Sequence, residues 1–292
     1  MRVLVTGAGG FIGSHVCAAL KGAGHHVIGL DTTIVAERPV MYDDFIVADI
    51  THPLSKIPDL DAVIHLAAIA APRDCDADPV KAFAVNVNGT LQVLRMALAS
   101  GAKKFVFSSS AHVYDIPPKY LPTDETHPLR LNNTYTTTKI LGEQLCSLFH
   151  DNHGLSTTVL RLYNAYGTDQ ARGYFIPDQL AKAQAGNLHL QGWNVTKDWV
   201  WVDDVANAFV KAVSTKYVGA LNIGTGIETN LGWIGEQIAK AYGANFTIEP
   251  AANPTRMQAD ISQAKYVLDW EPKVTLEEGL RAIVDYAKVA VH

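Results

Sequence analysis

Arg2-Val3-Leu4-Val5-Thr6-Gly7-Ala8-Gly9-Gly10-Phe11-Ile12-Gly13 opens the chain, and its reading decides the fold. Arg2 to Thr6 is a short, largely β-branched apolar run that reads as a buried strand. Gly7 to Gly13 reads as a turn, and Ser14 to Gly22 as a helix closing in glycine. Val27 to Leu30 then makes a second strand, ending at Asp31. Gly7, Gly10 and Gly13 recur every third residue, and each has its own task. One permits the tight turn, one lets backbone N–H groups approach a pyrophosphate, and one lets the helix pack against the strand. Asp31 is spaced to accept hydrogen bonds from a ribose diol, and its carboxylate would repel a 2'-phosphate. The unit therefore reads as a dinucleotide site, with Phe11 and Ile12 inside the turn and NAD favoured over NADP.

Composition bounds what this unit belongs to. With 292 residues, 48% of them apolar, the chain can bury a sizeable core as one large domain or two small ones. A formal net charge of -5 and the lack of any Lys/Arg stripe exclude nucleic acid and anionic membranes as expected partners. The three cysteines, Cys17, Cys75 and Cys146, have no metal-ligand spacing and leave an odd count. They read as packing residues of a cytoplasmic protein with no metal site. Glycines interrupt the N-terminal apolar stretch too early for a signal peptide, and no apolar run is long enough to span a membrane.

Further along, Phe45 to Val47 reads as a third strand, followed by Asp49-Ile50 at the sheet edge where nucleotide bases sit. Asp49 is either an adenine contact or a turn cap. Ala62 to Leu66 is a fourth strand, ending at the small residues Ala67-Ala68, which leave room for a cofactor. Pro79 to Ser100 reads as a long helix broken only by Gly89, and Lys104 to Ser108 as a fifth strand. That strand delivers Ser108-Ser109-Ser110-Ala111-His112-Val113-Tyr114 to the carboxyl edge, where ligands bind in parallel sheets. After a polar loop, Asp115 to Asn133, a helix runs to about His150 and carries Tyr135-Thr136-Thr137-Thr138-Lys139. A Tyr and a Lys four apart share one helix face. An ammonium beside the phenol, together with a cationic nicotinamide, favours the phenolate and equips it to take a proton from a sugar hydroxyl.

Read together, these stretches resemble the extended short-chain dehydrogenase/reductase family of nucleotide-sugar epimerases and dehydratases. So do His65-Leu66-Ala67-Ala68, Asn86-Val87-Asn88-Gly89-Thr90, Arg161-Leu162-Tyr163-Asn164-Ala165-Tyr166-Gly167, Asp198 to Asp204, Asn222 to Gly226 and Ala259 to Ala264. The resemblance implies Ser110, Tyr135 and Lys139 as the catalytic group, with Lys139 also on the nicotinamide ribose. It implies that Leu66, Ala67, Ala68, Asn86, Ser108 and Tyr163 line the cofactor site. It places Asn164 on a sugar-nucleotide diphosphate and Phe175, Leu188 and Arg256 around the nucleotide. Arg256 suits a diphosphate because its fork is always charged, though it also reads as a surface charge. Departures fall on the substrate side. Asp115 replaces a Gly, Asn133-Thr134 replaces Ser-Pro, Lys197 stands where Arg is usual, and Asn253-Pro254-Thr255 replaces Pro-Gly-Asp. Ala111 and His112 occupy the places of the dehydratases' Asp-Glu pair, and sugar-acid decarboxylases carry Glu where His112 stands, so His112 reads either as a sugar contact or as a loop His bonded to backbone.

The expected fold is α/β, a Rossmann-type doubly wound parallel sheet with a smaller C-terminal α/β substrate-binding lobe. The NAD-binding domain is expected at 1-165 plus about 196-226, and the substrate lobe at about 166-195 and 227-292. Helices are expected from about Pro177 to Gly186, Val205 to Ser214, Leu231 to Tyr242 and Leu276 to Val291, with a strand at Leu188 to Leu190. Trp193, Trp199 and Trp201 read as core or as base-stacking residues. The expected activity is an NAD-dependent 4-epimerase acting on a UDP-hexose or UDP-N-acetylhexosamine through a 4-keto intermediate. A 4-keto sugar reductase, another nucleotide-sugar oxidoreductase or dehydratase, and a non-catalytic dinucleotide binder are the alternatives. The resemblance also implies a homodimer through the helices near 79 to 100 and 133 to 150.

Overall fold

Strands that alternate with helices and are apolar on both faces must be covered on both faces, and this governs the architecture. The computed structural model describes residues 1–34 and 41–289. β1 (Arg2–Thr6), α1 (Phe11–Gly22), β2 (His26–Asp31), β3 (Asp44–Val47) and β4 (Ala62–His65) come first. Then come α2 (Pro72–Ala77), α3 (Pro79–Phe83), a π-helical turn over Ala84–Gly89 and α4 (Thr90–Ala99). β5 (Lys104–Ser110), α5 (Thr134–His153), β6 (Ser156–Leu162) and β7 (Asn164–Tyr166) complete the first half. The rest comprises α6 (Phe175–Gln184), β8 (Asn187–Gln191), β9 (Thr196–Trp201), α7 (Val202–Ala212), β10 (Gly219–Ile223), β11 (Glu228–Asn230), α8 (Leu231–Tyr242), β12 (Asn245–Glu249), α9 (Ser262–Leu268) and α10 (Leu276–Val289).

The main sheet runs β10-β6-β5-β4-β1-β2-β3, parallel throughout. Its order reverses between β1 and β4, the switch point at which such sheets open a crevice. One face buries Val3, Val5, Val106 and Leu160 against Val16 and Leu20 of α1 and Val205 and Phe209 of α7. The other buries Leu4, Val63, Phe105 and Phe107 against Val93 and Leu94 of α4 and Cys146 and Phe149 of α5. A third core holds Tyr166, Ile176, Leu188, Leu190, Trp199, Trp201, Ile234 and Ile283, and builds the smaller lobe around the three-stranded sheet β11-β9-β7 and the pair β12-β8.

Several boundaries differ from the sequence expectation. α1 starts at Phe11, because extended Gly10 is itself the N-cap. The expected helix from Pro79 is divided by the π-helical turn, not merely interrupted at Gly89. Within 196–226, β9 pairs with β7 and β11 while its Val200 packs into the first lobe's core, and α7 and β10 return to the main sheet and its covering layer. Ala264, Leu268 and Trp270 also pack into that layer, so the segment around α9 belongs with the first lobe's core. Trp199 and Trp201 are core residues around Tyr166, whereas Trp193 is exposed. The last two residues of the expected terminal helix lie outside the described residues.

Candidate active site

The crevice at the switch point is shaped by glycine. Gly7 has φ +72, and a Cβ there would lie 2.8 Å from the Ala67 amide nitrogen at the end of β4. A Cβ at Gly13 would lie 2.0 Å from the Gly7 carbonyl oxygen. No side chain therefore fits at either position, and the turn sits directly under Leu66, Ala67 and Ala68. No side chain caps the start of α1, so the helix presents backbone N–H groups from Phe11 and Ile12 at its positive end. Asp31 stands at the rim, accepting from Gly9 N at 3.0 Å and Thr32 N at 2.7 Å. This cradle fits a dinucleotide: N–H groups for a pyrophosphate and a carboxylate for a diol.

Behind it, His65 bridges β1 to the helical layer. Thr90 Oγ1 donates to the Asn86 carbonyl at 2.6 Å, so it accepts from His65 Nε2 at 2.9 Å. His65 Nδ1 is then left to accept from Thr6 Oγ1 at 2.7 Å. Burial pushes this imidazole down to about 3, so it is neutral.

The catalytic candidates meet where the end of β5 faces α5. Asn133 and Thr136 form a reciprocal capping box that fixes the first turn of α5. The Ser110 hydroxyl faces the Tyr135 phenol. Lys139 Nζ donates to the Ser108 carbonyl at 2.7 Å and lies 5.2 Å above the Phe107 ring. Tyr135 packs on Cys75 and Ala82, and the Tyr174 phenol at the start of α6 faces it from the second lobe. Burial pushes the Tyr135 phenol up to about 12 and the Lys139 ammonium down to about 8. The protein's own groups thus leave the phenol protonated, and a cationic nicotinamide would act in the opposite direction.

Other expected cofactor residues play indirect parts. Asn86 is consumed internally: its Oδ1 accepts from Ile69 N at 2.8 Å, and its Nδ2 donates to Ile69 O and Thr138 Oγ1, each at 3.0 Å. A buried amide must satisfy itself, so this side chain braces α5 rather than lining the crevice. Tyr163 packs with Tyr114, Met257, Ala259 and Ile261, and its hydroxyl is buried without a hydrogen-bond partner among the described residues. Ile50 packs where Gly89 leaves space for it. Asp49 closes a turn by accepting from Thr51 N at 2.9 Å, which is the cap reading.

Across the crevice, burial and the charge of Lys197 push the His112 imidazole down to about 4, and the backbone N–H of His112 donates to the Ser110 hydroxyl at 3.2 Å. Lys197, pushed to about 8 by burial, points its ammonium at the Met257 sulfur, 3.0 Å away. Asn164 donates to the Asp198 carbonyl at 2.9 Å, tying β7 to β9. The Phe175 ring tilts against Trp199 at 5.5 Å. The Leu188 side chain, expected at the nucleotide, is 1% exposed and fills the second lobe's core, because alternate residues of β8 face inward. Arg256 is gripped by Glu228 through two bonds of 2.6 Å.

Sequence reasoning passed over Glu143, Arg161 as a charged partner, and Glu228. A charge inside the apolar strand β6 and an acid one turn beyond Lys139 were the available signals. Among the described residues no group of three or more His, Cys, Asp or Glu could hold a metal ion, and no helix is long and apolar enough to cross a membrane.

A doubly wound dinucleotide fold that brings Ser, Tyr and Lys together at its carboxyl edge defines an extended short-chain dehydrogenase/reductase. Residues 3–224 match the NAD dependent epimerase/dehydratase family, and the chain belongs to it, with NAD as cofactor. It is 33% identical over 313 residues to a UDP-glucose 4-epimerase of Mycolicibacterium smegmatis, covering 98% of each chain. UDP-glucose 4-epimerase of Thermotoga maritima, solved with UDP-glucose, superposes with a TM-score of 0.88 at 29% identity over 100% of both chains. UDP-glucuronic acid 4-epimerase of Bacillus cereus, solved with UDP-glucuronic acid and NAD, superposes with a TM-score of 0.87 at 29% identity, covering 99% of this chain and 100% of that one.

Proposed function

We infer that this enzyme is an NAD-dependent nucleotide-sugar 4-epimerase acting on a UDP-hexose or UDP-N-acetylhexosamine. The observation that carries the reading is the convergence of Ser110, Tyr135 and Lys139 beside the glycine cradle. Tyr135, as phenolate, takes the proton of the sugar C4 hydroxyl, and Ser110 bonds the same oxygen. Lys139 stabilises the phenolate by its charge. NAD, when bound, would supply the acceptor for the C4 hydride. The 4-keto sugar would turn in the cleft between the lobes so that the hydride is restored on the other face of C4, and Tyr135 would give the proton back to the C4 oxygen. Lys197 and Arg256 supply cations for the diphosphate, with Asn164 and Phe175 beside them. Elimination is not supported: Ala111 has no acid, and His112 is a neutral imidazole rather than an imidazolium acid at neutral pH.

Incubation with UDP-hexoses and UDP-N-acetylhexosamines, without added cofactor and followed by the anomeric proton resonances, tests this. The C4 epimer should appear from either direction. Conversion only on supply of NADH, NADPH or a 4-keto sugar would make the protein a reductase. A homodimer is supported by the apolar residues Val80, Phe83, Leu98, Leu141 and Leu148, which α3, α4 and α5 leave exposed. Light scattering at micromolar concentration should return twice the 31.6 kDa chain mass. Three buried free thiols support a reducing, cytoplasmic setting.

A further inference from the structure

Three consecutive residues of β5 face three successive turns of α5. The Ser108 carbonyl holds Lys139, Ser109 Oγ donates to Glu143 Oε1 at 2.5 Å, and Ser110 faces Tyr135. Tyr135, Lys139 and Glu143 follow one another at four-residue spacing on one helix face. The contacts of Ser108 and Ser110 belong to the catalytic group, but the bond from Ser109 touches nothing that reacts. It instead joins a buried ion pair. Arg161 Nε donates to Glu143 Oε1 at 3.0 Å and Nη2 to Oε2 at 2.8 Å, with side chains only 7% and 8% exposed. Arg161 Nη1 continues to the Tyr114 hydroxyl at 3.1 Å and the Glu125 carbonyl at 3.0 Å, and Tyr114 donates to Asn222 Oδ1 at 2.6 Å. The network thus spans α5, β5, β6 and β10.

We propose that Glu143 and Arg161 are positioning residues that hold Lys139 beneath Tyr135 and thereby stabilise the Tyr135 phenolate, an inference that rests on Tyr135 being the base. A buried ion pair is costly to desolvate and gives fold stability little net gain, so stability alone does not explain it. What it does give is geometry. A bidentate Arg–carboxylate pair has one arrangement, and that arrangement sets the register of α5 on β5. The groups facing Lys139 are Tyr135 and Glu143 from its own helix, Cys75 from α2, neutral His65 from β4, and the Ser108 carbonyl and Phe107 ring from β5. Ser110 and Tyr174 complete the surroundings of the phenol, beside Cys75. Glu143 is the carboxylate in the first set, and its charge helps keep the buried ammonium protonated.

The test reads the phenolate directly, by ultraviolet difference titration of the NAD-loaded protein against Tyr135→Phe. This identifies the phenolate without any sugar substrate. If the Tyr135→Phe difference shows no titrating phenolate below the free-tyrosine range of about 10, the reading of Tyr135 as base fails, and the proposal with it. Given that phenolate, Glu143→Gln should raise its midpoint by about one pH unit, a tenfold change in proton affinity. The sign is decisive. Removing a negative charge would by itself favour the phenolate and lower the midpoint, so only a displaced or deprotonated Lys139 raises it. Glu143→Gln strands a buried guanidinium, so the double variant Glu143→Met/Arg161→Met, which fills the space and strands no charge, is measured alongside. An upward shift in either folded variant supports the proposal. An unchanged or lowered midpoint overturns it and leaves the pair a packing element.

Discussion

One wall of the cleft, formed by β5 and α5, has its polar groups engaged before any ligand arrives. Ser110 accepts from the His112 backbone, Lys139 is on a carbonyl, and Glu143 is on both Ser109 and Arg161. The other wall, formed by β9, β11 and the segment before α9, keeps its cations in replaceable company. Lys197 has a thioether, and the largely exposed Arg256 has a carboxylate that a diphosphate resembles. The difference separates two jobs. Chemistry needs groups fixed within a fraction of an ångström, whereas recognition needs charges able to exchange partners.

The sharpest break of this comparison lies on the fixed wall. Tyr135→Phe should lower turnover about 10²- to 10⁴-fold while NAD content, measured after denaturing the purified protein, stays at wild type. On the second wall, Lys197→Met should raise the Michaelis constant for the nucleotide sugar roughly tenfold or more, with turnover changed far less. The same variant should melt higher, because a buried charge without an anionic partner is lost.

Acid should act behind the first wall. His65 is neutral in the fold at about 3 and takes up protons near 6.5 when unfolded, so the unfolded chain binds more protons between those values. Stability is therefore full above about pH 6.5 and falls as pH drops, by about 1.4 kcal/mol per unit, down to the folded value. Urea melts at a series of pH values should show this slope, and His65→Gln should flatten it. The smallest effect belongs to the pair whose guanidinium is largely exposed. Glu228→Gln should release Arg256 and tighten nucleotide-diphosphate binding a few-fold by calorimetry, leaving the melting temperature in place. If Glu228→Gln instead melts much lower, the second wall is as fixed as the first and the contrast fails.

The reading of these walls from sequence divides in the same way. Tyr135 and Lys139 are legible because helix period alone puts them on one face, and Gly7 and Gly13 because only glycine fits so tight a turn. Leu188 misled because its neighbourhood depends on strands that pair across long stretches of chain, β8 with β12.

The sequence by itself determined the glycine turn, the succession of the first five strands along the chain and the shared helix face of Tyr135 and Lys139, since each follows from local period and backbone sterics. Only the tertiary structure decided that Arg161 meets Glu143, that Asn86 spends its amide on Ile69 and Thr138, and that Lys197 lies beside a sulfur. Buried polar groups must find partners wherever packing puts them, and packing brings together residues that no sequence spacing relates.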